Sequence, residues 1–475
     1  MNFYPVNVEN HGKKPQLNKK KRMSQSKIKL IALLILALIL LSSATFYIID
    51  KILHPELIKI LVEPSLDYYG VRPCGAGLLM AYNRQKVDTG EIEKVGLIDK
   101  RGNAVTLVIY EYIQDFYEEY ENLSAVCKDG KWGHIDKNGN IIVDLIYDGV
   151  SGFSNGLALV YKDSKYGYVN KSGEIVIPMI YGQAEDFYDG FAVVGELGEA
   201  LYIIDTSGNI TGPPENNYIH NIGNGLFVIS GENGAGLINK NGEVILPPEY
   251  FNIRNFNEGL AAVQKGEKWG YIDMTGKVVI PFEYQSAWDF NDDGLAIVEI
   301  FDGKNKMSVS SVNAKRTWGY IDKNGEIVLT VRYNRVFDFS DGLALVRNYI
   351  SDANVNYEFK FGFIDKSGEL VIPMIYESVR VRFENGLTAV CLNNKYGVIN
   401  TAGETVIPFI YDYINIIKDG KYMVAQKDGK CGIINNKNEV ILPFEYDSIR
   451  GDRIMRDNLL CIEKDGLWGI IQIKK

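Results

Sequence analysis

Lys268-Trp269-Gly270-Tyr271-Ile272-Asp273-Met274-Thr275-Gly276-Lys277-Val278-Val279-Ile280-Pro281-Phe282-Glu283-Tyr284 holds two short apolar runs joined by a turn and closed by a proline and a tyrosine. Apolar runs of this length, bounded by turn signals, are strands rather than helices. The pattern returns along most of the chain. Its glycine recurs at Gly96, Gly133, Gly167, Gly236, Gly270, Gly319, Gly362, Gly397, Gly432 and Gly469, with a basic period of about 35 residues. Tyr202 takes that place in one unit.

Each unit adds a third run upstream, such as Gly259-Leu260-Ala261-Ala262-Val263 or Gly342-Leu343-Ala344-Leu345-Val346. A three-stranded antiparallel meander per unit follows. The turns agree: Asp136-Lys137-Asn138-Gly139 and Asp273-Met274-Thr275-Gly276 place Asx first and Gly last. Asx accepts from the following amides, and Gly supplies the positive φ that closes the hairpin. Pro178, Pro247, Pro281, Pro373, Pro408 and Pro443 lack an amide donor and end the ladder. Trp132, Trp269, Trp318 and Trp468 share one position. Buried, they are packing; exposed, they would suit a sugar-binding platform.

These residues resemble the WG-repeat family, also called the KWG repeat, over roughly residues 75–475. The resemblance implies a tandem β-repeat scaffold, common in bacterial proteins, and brings no catalytic residues. Two departures are local: Leu201-Tyr202 loses the Trp-Gly step, and Asn435-Asn436-Lys437-Asn438 loses the turn glycine. The fold expected is all-β, an array over 77–475 of ten meanders and a final two-strand piece at 459–473. Eleven units exceed the four to eight blades of most propellers, which favours an open superhelical array over a closed, propeller-like ring. Residues 50–76 do not match the repeat and read as a stalk or cap, a short helix followed by an entry strand. The stalk and the Lys-rich C-terminus would then protect the two free edges.

Ahead of the array, residues 30–49 are twenty uncharged, mostly apolar residues, enough for one transmembrane helix. Residues 1–50 hold eight Lys/Arg against two acids; that leaves 43 basic and 58 acidic residues beyond, a net of −15. The basic tail 1–29 predicts a cytoplasmic N-terminus and an extracytoplasmic array at the cell membrane. A cleaved signal peptide is the rival reading. An acidic body without a basic stripe argues against nucleic acid as a partner.

The five cysteines form no CxxC pair, and His11, His54, His134 and His220 form no ligand pair, so neither metal nor cofactor is expected. Asp289-Phe290-Asn291-Asp292-Asp293-Gly294 begins like a calcium loop but lacks the acid at its twelfth position, Ile300, and reads as a turn. No catalytic constellation is present. The units differ most in the link before the aromatic-Gly step, which is long at 83–94, 299–317 and 347–360. Loops on a repeat scaffold are where binding concentrates. Lys304, Lys306, Arg316, Tyr349 and Tyr357 are therefore the candidate partner-binding residues. The function expected is a membrane-anchored, non-catalytic scaffold for a protein or envelope component. A surface spacer without ligand and a carbohydrate-binding module are the alternatives.

Overall fold

The computed structural model describes residues 58–474, except 88–89, 118–119, 121, 213–217, 301–315, 352–356, 381, 418–419 and 452–456. The expected tail and membrane segment lie outside the described residues. Among the latter, no helix is long and apolar enough to cross a membrane. Eleven small antiparallel sheets follow one another in a ring, a β-propeller. Blades 1 to 11 begin at residues 70, 112, 149, 183, 218, 252, 286, 335, 378, 413 and 448.

Blade 6 shows the plan. Asn252–Ile253, Leu260–Lys265, Lys268–Asp273 and Val278–Tyr284 lie side by side in that order. The expected three-stranded meander is present, preceded by a two-residue strand too short to announce itself in sequence. In the turn, Asp273 Oδ1 accepts from the amides of Thr275 (2.9 Å) and Lys277 (3.1 Å), and Gly276 has φ +81°.

The repeat glycine answers to the proline strand. Trp269 pairs with Tyr284 and Tyr271 with Ile280, so the last strand bulges around Pro281; the missing amide donor interrupts the ladder there and does not end it, which corrects the expected stop. The bulge sets the Ile280 carbonyl against Gly270, where a Cβ would sit 2.6 Å from the oxygen. Blade 7 has Thr330 at the proline position and pairs regularly from Arg316↔Tyr333 to Tyr320↔Leu329. There, Gly319 meets only side-chain carbons, at 3.0 Å and beyond. In blade 4, Tyr202 stands at the glycine position, opposite Val194; among the described residues that sheet has three strands, as does blade 1, which keeps Gly96.

Successive blades are joined by a repeated contact. The Tyr271 ring meets Phe290 of the next blade edge-on at 5.0 Å, and its Oη donates to the Trp288 carbonyl at 2.7 Å. Tyr168 donates likewise to Glu185 O (2.6 Å) and Tyr320 to Phe337 O (2.7 Å). In blade 2, His134 replaces the tyrosine, and its Nε2 lies 2.7 Å from Ser151 O. A second link joins neighbouring turns: Asn155 Oδ1 accepts from the Gly190 amide and Asp341 Oδ2 from the Gly386 amide.

The ring closes, which corrects the open array. Ile58–Leu66, expected as helix or stalk, is the fourth strand of blade 11, paired with Leu467–Ile473. Its register, Val62↔Ile470 then Leu66↔Trp468, reproduces the bulge of the proline strands, with Pro64 inside it. Gly469 would bring a Cβ within 2.7 Å of Val62 O. The segment is thus the missing third run of the last repeat, displaced to the front of the chain. The 459–473 piece is neither two-stranded nor a Lys-protected edge. Across the seam, Asp457 Oδ2 accepts from the Gly77 amide at 2.8 Å, the same turn-to-turn link. Val71 and Leu79 of blade 1 bury against Cys461, Trp468 and Ile470 of blade 11. Side chains so buried contribute about 1.5–3 kcal/mol each, enough to explain why a ring is preferred to two open edges.

Candidate binding site on blades 7 and 8

Where the repeats obey one rule, they build the ring; where one blade breaks the rule, a site can form. One rule concerns the lysine before the aromatic-Gly step. It pairs with an acid at the start of the next blade: Lys131–Asp148 at 2.6 Å, Lys395–Asp412 at 2.5 Å, Lys94–Glu111 at 2.9 Å and Lys360–Glu377 at 3.5 Å. The acid also caps a hairpin turn, as Glu377 does for the Asn394 amide (2.9 Å). The Lys94 ammonium and the Gly130 amide hold the Glu111 carboxyl down at about 2. The acid stands before blades 2, 3, 9, 10 and 11; blades 4 and 6 carry Gly182 and Phe251 in its place, and blades 7 and 8 carry Gln285 and Asn334. In blade 8, Asn334 binds its neighbouring strand instead. Its amide donates to Asn348 Oδ1 (2.9 Å), and its Oδ1 accepts from the Tyr349 amide (2.6 Å).

Between these two blades lies a cavity of about 220 Å³ whose lining includes Trp288, Asp289, Trp318, Arg335, Phe337 and Asp338. The Trp288 and Trp318 rings meet edge-on at 5.5 Å, and Trp318 Nε1 donates to Tyr333 O at 3.0 Å. Asp338 is neutralised by Arg382 at 3.0 Å. Burial pushes the Asp289 carboxyl upward, and its Oδ1 is buried with no hydrogen-bond partner. The calcium-like stretch that begins here is a turn, with Asn291 Oδ1 accepting from the amides of Asp293 and Leu295. Aromatic walls with a few charged groups at the rim suit recognition of a small group or side chain.

The described residues of the long link 347–360 are strand: Leu343–Ser351 and Tyr357–Asp365 pair in register from Leu343↔Asp365 to Ser351↔Tyr357. The link 83–94 is likewise a hairpin, paired out to Val87↔Gly90. Both insertions extend the existing strands instead of breaking them. Tyr349 lies on the blade 8 hairpin with its ring 4.0 Å from Phe359, and Tyr357 opens the returning strand. Arg316 belongs to blade 7 and pairs with the buried Glu299 at 3.2 Å, so it serves its own sheet. Lys304 and Lys306 lie outside the described residues.

Sequence reasoning missed Arg335 and Arg347, which face each other directly across two strands of blade 8. Aligning the repeats column by column would have exposed them, because the two strands share one register in every unit. The sugar-platform alternative fails at three positions, since Trp269, Trp318 and Trp468 are buried. Trp132 is half-buried against Tyr112 at 5.4 Å.

The WG containing repeat matches nine stretches: residues 96–132, 132–166, 166–197, 236–269, 269–304, 318–349, 361–396, 396–431 and 432–468. No curated protein matches. Among solved structures, a eukaryotic initiation factor resembles the chain at 11% identity and TM-score 0.34, covering 66% of this chain and 92% of that one. The computationally designed Ika8 protein covers 60% and 94%, at 12% identity and TM-score 0.27. BamB from Moraxella catarrhalis covers 74% and 94%, at 10% identity and TM-score 0.26. At such TM-scores the likeness is loose and says nothing about function.

Proposed function

The chain belongs to the WG containing repeat family, and from that premise we propose that it is a non-catalytic binding scaffold, anchored in the cell membrane by residues 30–49, with its ring outside the cytoplasm. The partner is a protein or a component of the cell envelope, engaged at blades 7 and 8. One observation carries this reading. The ring is assembled from repeated contacts, and blades 7 and 8 bring together an aromatic cavity and, on blade 8, an extended hairpin. The uncharged segment and the basic tail support the anchor.

Two experiments test the reading. Replacing residues 349–358 by a short Asn-Gly turn leaves the ring positions of blade 8 in place. Capture of envelope components by this variant should fall relative to the parent chain; an unchanged captured set would sink the assignment to the hairpin. Protease added to intact cells should release fragments of the array, and full protection of the array would contradict the topology.

A further inference from the structure

The outward end of blade 8 carries a charge arrangement found on no other blade. Arg335 and Arg347 are direct cross-strand partners. In the ten other blades the equivalent pair holds at most one charged residue, and it is an acid: Ser286–Glu299 in blade 7 and Ser448–Glu463 in blade 11. Like charges directly opposite destabilise a sheet. Yet among the described residues no carboxylate pairs with either guanidinium. The acid that blades 2, 3, 9, 10 and 11 place just before this position is Asn334 here. Arg347 Nε is buried and has no acceptor. Burial and the neighbouring Arg335 both push the Arg347 pKa down, the sign of an uncompensated cation.

The rings around the pair hold it in place. Arg335 lies over Phe337 at 5.2 Å and Arg347 over Phe359 at 4.1 Å. A guanidinium held by its face keeps its N–H edges for an acceptor, and two such edges side by side match the geometry of a carboxylate or phosphate. Phe337 and Arg335 also line the cavity beside Trp288.

We propose that Arg335 and Arg347 form a site for a single oxyanion, a carboxylate or phosphate group, at the mouth of the blade 7–8 cavity. The anion is either a free small molecule or an acidic side chain of a bound protein. The inference deepens the partner reading and rests on it for the second of these sources.

The test uses the full chain in neutral detergent, with inorganic phosphate, succinate, and a Glu-rich peptide beside its Gln counterpart. At matched ionic strength, phosphate or succinate should raise the melting temperature more than chloride, because a ligand that binds only the folded state stabilises it. Arg335→Gln and Arg347→Gln should each weaken binding by about tenfold or more. Arg335→Gln should also melt no lower than the parent at low salt, since it removes a repulsion; that readout separates a binding role from a structural one. Binding of phosphate or succinate points to a free anion; binding of the Glu peptide alone points to a protein partner. If no probe depends on both arginines, the site is refuted. Loss of anion binding in the arginine variants, with hairpin replacement leaving envelope capture unchanged, would instead keep the site and remove the partner reading.

Discussion

Gly270 and Gly319 hold the same place in their repeats but face different strands. At Gly270 an added methyl would meet the Ile280 carbonyl at 2.6 Å, whereas at Gly319 the nearest atom is the movable Ile300 Cδ1 at 3.0 Å. Gly270→Ala should therefore lower stability by about 2–3 kcal/mol and Gly319→Ala by clearly less; comparable losses in denaturant melts would contradict the bulge argument. His134 offers a test by pH. Burial drives its pKa down to about 4, against an ordinary value of 6.5, and its Nδ1 is buried without a partner. The unfolded chain therefore binds the proton more readily. Stability is full above about pH 6.5 and declines as pH falls toward 4, by about 2–3 kcal/mol. Replacing His134 with tyrosine restores the residue other blades use for the same carbonyl and should remove that decline. Thermal melts of both proteins between pH 4 and 7 decide the matter.

At the scale of the element, the closing strand is the decisive piece. It covers the edge of Leu467–Ile473, which would otherwise present unpaired amides and carbonyls. Removing residues 1–57 should leave a closed, monomeric ring. Removing residues 1–66 should open blade 11 and produce dimers or larger species through that edge. Light scattering coupled to size exclusion distinguishes the two, and identical behaviour of both truncations would argue against closure. The hairpin of blade 8 differs in kind. It extends strands already present and leaves the contacts to blade 7 intact, so its replacement should alter binding and not the melting of the ring.

At the scale of the whole molecule, each blade leans on its neighbours, and the seam uses the same devices as every other junction. Stability should nonetheless be uneven. Among the described residues blade 4 has three strands, and past Ile204 its pairing continues as the isolated bridge Ile204↔Ile210. Native-state hydrogen exchange should be faster for the amides of Leu201–Asp205 than for those of Lys268–Asp273, because local opening there breaks fewer contacts. Equal protection in the two strands would count against this picture. Beyond residue 50 the chain carries a net charge of −15, yet two local arginines can still hold one small anion, since screening over about 8 Å at physiological salt damps the more distant acids.

What the sequence determined by itself was local. Strand period and Asx–Gly turns are one-unit properties, so Asp273 and Gly276 could be read directly; Pro281 reads as the end of the ladder, whereas pairing resumes beyond it at Trp269↔Tyr284. Three things required the tertiary structure. The two-residue strand Ser286–Ala287 has no period to detect and exists only because Glu299 and Val298 pair with it. Closure brings Val62 to Ile470 from opposite ends of the chain, and no local pattern states that two ends share a sheet. The Arg335–Arg347 pair likewise depends on register, which sets two cations twelve residues apart in sequence on one face of one blade. Pairing across strands is a property of the assembled sheet, and the sheet is where both the ring and its candidate site are made.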